Sequence, residues 1–315
     1  MSTQNDKPWV SILTPCYNVE RFLDNYFKKI MKQTYKNIEL VFINDGSTDK
    51  TEEMIKKKIS SLKKHGFKVI YKKKKNGGLG SAINTGLKLM TGDFFCWLDC
   101  DNYYENEYVE KNVEVFIKNP DCNVVRCDGC LWNEEDMSKP YAYFSDGNTD
   151  KFKKRLFINA IVEKNFHFGC AMIRTSAFDK VVKNRDIYES RQGQNWQIIL
   201  PMLYYYDAYY IDEKLFNYIY TKGSITSQSN NLEKMINMQN EHERILLETI
   251  KRMHIRDARY YIGIIKRKYI KRRIMFAEMY NDLEMKKREE ENLVKFDKFF
   301  NKMKYFVLFP KYKDE

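Results

Sequence analysis

The sequence predicts an α/β fold: a mostly parallel β-sheet flanked by helices, followed by a helical C-terminal extension. Over roughly the first 130 residues, short apolar runs alternate with stretches of 3.6-residue apolar period. The connections between them are short, as expected for parallel strands joined by covering helices. From Asn231 onward the pattern is helical and charged, with almost no Gly or Pro until Pro310. The 315 residues, 43% hydrophobic and 15% aromatic, can bury a sizeable core. This composition excludes a disordered tail, a collagen-like chain and a small disulfide scaffold.

Trp9 to Leu13 reads as a strand ending at Thr14-Pro15. Val19 to Gln33 has the helical period, with Phe22, Leu23, Tyr26, Phe27 and Ile30 on one side. Ile38 to Ile43 is a second strand, and Asn44-Asp45-Gly46-Ser47-Thr48-Asp49 is a loop rich in helix-capping residues, leading into a Lys-rich helix to about Leu62. Lys68 to Tyr71 is a third strand. The glycine loop from Asn76 to Ser81 opens a helix to about Met90, and Asp93 to Leu98 is a fourth strand. A helix over Glu107–Lys118 and a strand at Val124–Cys127 complete the series. Further on come a strand at Cys170–Arg174, a helix at Asn195–Tyr206, and two strand-like runs, Tyr209–Ile211 and Leu215–Tyr220.

Lys and Arg number 55 against 43 Asp and Glu, giving a net charge of +12. Such a balance suits nucleic acid, an anionic membrane surface or a phosphorylated small molecule. Nine of these charges fall between Lys251 and Arg288, where 13 basic residues face 4 acidic ones. No RRM, KH or helix-turn-helix signature accompanies them, so a nucleic-acid partner is not expected. The polar start, Met1 to Pro8, carries no apolar signal region, and no stretch of about 18 uncharged apolar residues occurs. The expectation is a cytoplasmic protein whose seven cysteines are reduced thiols. Cys122, Cys127, Cys130 and Cys170 match structural zinc spacings only weakly and read better as small buried hydrophobes.

The polar sequences at the strand ends carry the chemistry, because ligands of such sheets bind beyond the carboxyl ends of the strands. Asp99-Cys100-Asp101 places two carboxylates on roughly the same side of a strand end. Hard divalent ions, Mg²⁺ or Mn²⁺, take few carboxylates plus phosphate oxygens and water, so the pair suits a metal at a nucleotide diphosphate. Asp45 can accept a uracil imide N–H or bond a ribose; it also suits an ordinary turn feeding a helix. The Asn76–Gly86 loop lacks both the dinucleotide fingerprint and the Walker pattern. Its glycines still allow a ligand close to the backbone.

Taken together, Val10-Ser11-Ile12-Leu13-Thr14-Pro15-Cys16-Tyr17-Asn18, Gln33-Thr34-Tyr35, Ile38 to Asp49, the Asn76–Gly86 loop, and Gly92-Asp93 leading to Leu98-Asp99-Cys100-Asp101 resemble the nucleotide-sugar glycosyltransferases of family 2, with their GT-A, Rossmann-like fold. The resemblance implies a glycosyltransferase domain over 1–225, with a nucleotide-sugar half at about 8–130 and an acceptor half at about 131–225, before a basic helical region at 226–315. It implies metal-dependent, inverting transfer of a sugar from a nucleotide-diphosphate donor to a hydroxyl of a glycan or lipid-linked acceptor. Thr14, Tyr17, Asn18, Asn76 and Gly77 would line the donor pocket and Asp45 would face the base. Asp99 would sit by the ribose and the metal, and Asp101 would hold the Mn²⁺ or Mg²⁺. A single carboxylate at Asp45 suits uracil, so a UDP-sugar is the favoured donor.

One departure stands out. Where the family carries an acidic pair that includes the catalytic base, this chain has Gly193-Gln194-Asn195-Trp196. Amides do not take a proton near neutral pH. Glu189 is the favoured replacement and Asp128 the alternative, with Asp186 and His167 also nearby. His167, between Phe166 and Phe168, reads more readily as a core histidine. Gln194 and Asn195 would hydrogen-bond the acceptor, and loss of transfer activity remains an alternative reading. Finally, Arg259 to Arg273 interleaves aromatic and cationic residues, as in a basic amphipathic helix on anionic lipid, with Tyr305–Phe309 as a shallow anchor. A solvated helical face packed on the body explains the same pattern.

Overall fold

The computed structural model describes residues 7–148, 150–164, 167, 169–191, 193, 195–222 and 231–304. The chain divides into two compact units, Met1–Ser224 and Ile225–Glu315.

The first unit opens with β1 (Val10–Cys16), α1 (Glu20–Ile30), β2 (Ile38–Asn44), α2 (Thr51–Lys64), β3 (Lys68–Lys73), α3 (Leu79–Leu89) and β4 (Phe94–Trp97). These four strands pair in parallel in the order β3-β2-β1-β4. Every residue of β1 and β2 is buried, as parallel strands covered on both faces must be. Helix α1 turns Leu23, Tyr26, Phe27 and Ile30 into the core. There Tyr26 and Phe27 meet Phe42 edge-on, with ring centroids 5.8 and 6.0 Å away.

The rest of the unit comprises β5 (Tyr103–Tyr104), α4 (Tyr108–Lys118), β6 (Val124–Asn133), β7 (Ala142–Tyr143), α5 (Phe157–Val162), β8 (Ala171–Arg174), α6 (Thr175–Val181), α7 (Asn195–Tyr205) and β9 (Ala208–Tyr220). Strand β8 continues the sheet antiparallel to β4, and the order runs on through β6, β9 and β5, with β7 on β6. The sheet is thus parallel in its first half and mixed in its second.

The two runs read separately in the sequence form one strand, β9. Its pairing with β6 slips around Asp128: Cys127 faces Ile211, Asp128 faces Lys214 and Gly129 faces Phe216. Of the three residues skipped in this register, Asp212 and Glu213 are exposed and Leu215 is buried, so a partly solvated bulge interrupts the apolar pattern without ending the strand. A Cβ on Gly129 would lie 2.8 Å from the Phe216 carbonyl oxygen, so only glycine permits this close pairing.

The second unit contains α8 (Leu232–Arg252), α9 (Ala258–Met279) and α10 (Leu283–Lys304). The Asn231 side chain caps α8 by accepting from the Lys234 amide at 2.9 Å. Helix α9 packs against both α8 and α10, so its apolar residues serve two neighbours instead of forming one lipid-facing stripe. Arg267 pairs with Asp297 at 2.8 Å, and Arg273 with Glu243 at 2.7 Å and Glu289 at 3.2 Å. Part of the basic excess is therefore internal to the unit. Among the described residues no helix is long and apolar enough to cross a membrane. Tyr305–Phe309 lies outside the described residues.

Candidate active site

Asp99, Cys100 and Asp101 leave the end of β4 beside β1, where the Leu98 amide donates to the Leu13 carbonyl at 2.9 Å. The Cys100 side chain is buried, its Sγ 3.7 Å from that of Cys16 at the end of β1. The two carboxylates stay at the rim. In each, Oδ1 is enclosed and has no hydrogen-bond partner. Desolvation, with repulsion from Asp101, pushes the Asp99 carboxyl up to about 7. Desolvation raises Asp101 to about 6, against the pull of the Arg21 guanidinium. Two enclosed carboxylate oxygens without donors fit a hard divalent cation. Among the described residues no cluster of three or more His, Cys, Asp or Glu is arranged to hold a metal. The pair would therefore leave other coordination positions to phosphate oxygens and water. All seven cysteines are buried free thiols.

The Asp45 loop is different. Its carboxylate accepts from Lys74 Nζ at 2.8 Å and from the amides of Gly77 and Gly78 at 3.0 and 2.8 Å. Asn76 Nδ2 adds a 3.0 Å bond to the Asp45 carbonyl, and its Oδ1 accepts from Arg191 at 3.0 Å. Asp45 thus anchors the glycine loop, and its oxygens are already occupied; the expected imide contact would have to displace these donors. Gly78 adopts φ +90°, and a Cβ there would meet Arg191 Cα at 2.6 Å, so glycine alone fits this crossing.

Thr14, expected in the donor pocket, is fully buried, its hydroxyl 2.7 Å from that of Tyr26. Residues 14 and 16 of β1 both turn inward, which corrects the expectation for Thr14. Tyr17 is 51% exposed and free to meet a ligand. Asn18, at φ +52°, uses its Oδ1 to accept the Thr48 amide at 2.8 Å and so ties the first loop to the second.

A cavity of about 390 Å³ opens beside Asp99. Trp97, Phe144, Phe216 and Tyr218 supply aromatic walls, and Asn102, Glu163, His167 and Asn195 supply polar groups. Asn195, at the start of α7, accepts from Trp97 Nε1 at 2.7 Å, so the residue expected to meet the acceptor does line this cavity. Gln194 lies outside the described residues.

The two favoured bases are elsewhere. Asp128 is buried, its carboxylate accepting from the Gly129 amide at 2.8 Å and from the Ser145 hydroxyl at 2.8 Å; it is a structural clamp. Glu189 bonds Asn84 of α3 at 2.8 Å and does not line the cavity. Asp186 pairs with Lys88 at 2.9 Å. His167, read as a core residue, is instead exposed and stacks on Phe144 at 4.1 Å. The aromatic walls escaped the sequence reading because each looks like ordinary core; the left-handed Glu163, at φ +57°, had no sequence signal.

A parallel strand-helix half carrying an acidic pair at its rim, continued by a mixed half that walls a cavity against that pair, is the GT-A architecture of the glycosyltransferases. The chain belongs to glycosyl transferase family 2, whose family model matches residues 11–182, more than half its length. An uncharacterised glycosyltransferase of Rickettsia typhi is 31% identical over 182 residues, covering 58% of this chain and 55% of the relative. Glycosyltransferase GlyA of Streptococcus pneumoniae is 40% identical over 101 residues, covering 32% of this chain and 14% of GlyA. The chain therefore spans about half the length of the Rickettsia relative and less of GlyA. Among solved structures, S. aureus TarS in complex with UDP matches with a TM-score of 0.56 at 19% identity, covering 84% of this chain and 72% of that one. The mannosyltransferase PcManGT from Pyrobaculum calidifontis, in complex with GDP-Man and Mn²⁺, matches with a TM-score of 0.53 at 13% identity, covering 98% and 87%. At these identities the likeness is one of fold.

Proposed function

We propose that the protein transfers a sugar, with inversion, from a nucleotide-diphosphate donor to a hydroxyl of a glycan or lipid-linked acceptor, and that the donor is a UDP-sugar. The observation that carries this reading is the Asp99–Asp101 pair, whose enclosed, unpartnered oxygens stand at the end of β4. In this reading the two carboxylates hold Mn²⁺ or Mg²⁺, which when bound offsets the charge growing on the departing diphosphate. Tyr17 and the glycine loop bind the donor, with Asp45 and Lys74 fixing the loop. The aromatic walls of the cavity suit an acceptor sugar ring, and Asn195 orients it. UDP as the donor nucleotide draws support from TarS, which was solved with UDP and with UDP-GlcNAc. A cytoplasmic site of action belongs to the same reading, with the basic α8–α10 region near an anionic membrane surface; the charge excess between Lys251 and Arg288 supports it.

Calorimetry with UDP-GlcNAc, UDP-glucose and GDP-mannose, each with and without Mn²⁺, tests this. The expected result is binding of at least one UDP-sugar that strengthens with Mn²⁺ and loses that strengthening in Asp101→Ala. Binding of none would remove the reading. Binding without hydrolysis or transfer would instead favour a donor-binding protein that has lost catalysis.

A further inference from the structure

We propose that His167 is the proton acceptor of the transfer reaction, acting on the attacking hydroxyl inside the cavity beside Asp99. The inference rests on the transferase reading above and supplies the base that the Gly193–Trp196 stretch lacks.

Inverting transfer needs a proton acceptor within hydrogen-bond reach of the attacking oxygen. The candidates suggested by sequence do not meet this need. Asp128 is held by Gly129 and Ser145, Asp186 by Lys88, and Glu189 is bonded by Asn84 of α3 and does not line the cavity. Asn195 is an amide. Among the described residues of the cavity wall, and apart from Asp99, which belongs to the metal pair, two side chains can take a proton, Glu163 and His167.

The ring of His167 is held by a defined aromatic platform. Its ring lies flat on Phe144, centroids 4.1 Å apart and planes 6° from parallel. A neutral imidazole keeps one bare ring nitrogen, ready to accept a proton. Packing around the ring depresses its pKa; the Asp128 carboxylate pulls it up and the Arg126 guanidinium pushes it down, both from β6. The net shift is downward, in the direction that favours the neutral imidazole. Phe144 is itself fixed, its amide donating to the Gly129 carbonyl at 2.9 Å, next to the Asp128–Ser145 clamp. The buried Asp128 network thus holds the platform on which the base rests.

The step balances simply. The acceptor oxygen forms a bond to the anomeric carbon as its proton passes to the bare nitrogen of His167. The bond from that carbon to the diphosphate oxygen breaks, and its electron pair leaves with the nucleoside diphosphate. The imidazolium then returns its proton to water.

The test measures release of nucleoside diphosphate from UDP-GlcNAc, UDP-glucose and GDP-mannose with Mn²⁺, using water and free monosaccharides as acceptors. On a donor that the wild type turns over, His167→Gln is expected to lose about 10²–10³-fold in kcat, with donor affinity by calorimetry unchanged. Added imidazole is expected to restore part of the rate to His167→Ala. Three results overturn the proposal: a wild-type rate in His167→Gln; a matching loss of donor affinity without imidazole rescue, which marks a structural role; or a large kcat loss confined to Glu163→Gln. If the wild type turns over no donor at all, the transferase reading falls first and takes this inference with it.

Discussion

Asp45 and Asp99 stand at the ends of β2 and β4, the two strands that flank β1. In sequence both are aspartates in a polar loop after a buried strand. In the structure they are opposites. The Asp45 carboxylate takes donors from one ammonium and two amides, all from the loop that opens α3. Asp99 and Asp101 each keep an enclosed oxygen with no donor. Buried polar groups are ordinarily satisfied, so a satisfied carboxylate belongs to the fold, whereas an enclosed orphan is held at a cost to stability and calls for a ligand. A position at the rim does not separate these roles; the donors around each oxygen do.

The largest stability effect should come from the satisfied member. Asp45→Ala leaves two glycine amides and Lys74 without their acceptor inside a tight loop. Urea unfolding should give a loss of about 2–3 kcal/mol for such unsatisfied donors. A midpoint unchanged from wild type would mean that the loop holds itself and that Asp45 is available for the base after all.

The orphaned pair should respond with the opposite sign. Asp99→Asn keeps the shape and removes one of two mutually repelling buried charges. In EDTA it should stabilise the protein by about 1 kcal/mol, as relief of a strained functional site does. With Mn²⁺ the order should change, because the ion raises the wild-type midpoint through binding and leaves the variant's where it was. Equal midpoints in EDTA would show that the carboxylates carry no such cost.

The same contrast explains what could be read from the sequence. Strands β1, β2 and β4 were legible because burial on both faces leaves an unbroken apolar run, and α1 because its apolar face recurs at the helical period. Asp99 and Asp101 could be singled out as a candidate pair because their two-residue spacing is local. The partners of Asp45 were not, since Gly77 and Gly78 lie 32 and 33 residues away. The cavity was still less legible. Trp97 comes from β4, Phe144 from beyond β7, and Phe216 and Tyr218 from β9, and only the sheet order brings them together. The break at Asp212-Glu213-Lys214 disguised β9 as two strands, because charged residues in a bulge look like a turn when the partner strand is unseen.

Glu189 marks the smallest expected effect and the limit of reasoning by proximity in sequence. It was favoured as base because it precedes Gly193 by few residues. Yet its segment crosses α3, where the Gly80 amide donates to the Ser190 carbonyl at 2.9 Å and Asn84 holds the Glu189 carboxylate. The side chain is exposed and keeps one hydrogen bond to a neutral amide. Glu189→Gln preserves an oxygen for Asn84, so stability should move by less than about 0.5 kcal/mol, as for other surface substitutions. The kcat should stay within about threefold, far from the 10²–10⁴-fold expected of a general base. A loss in the larger range would return the base to Glu189, and the cavity beside Asp99 would then hold the acceptor without activating it.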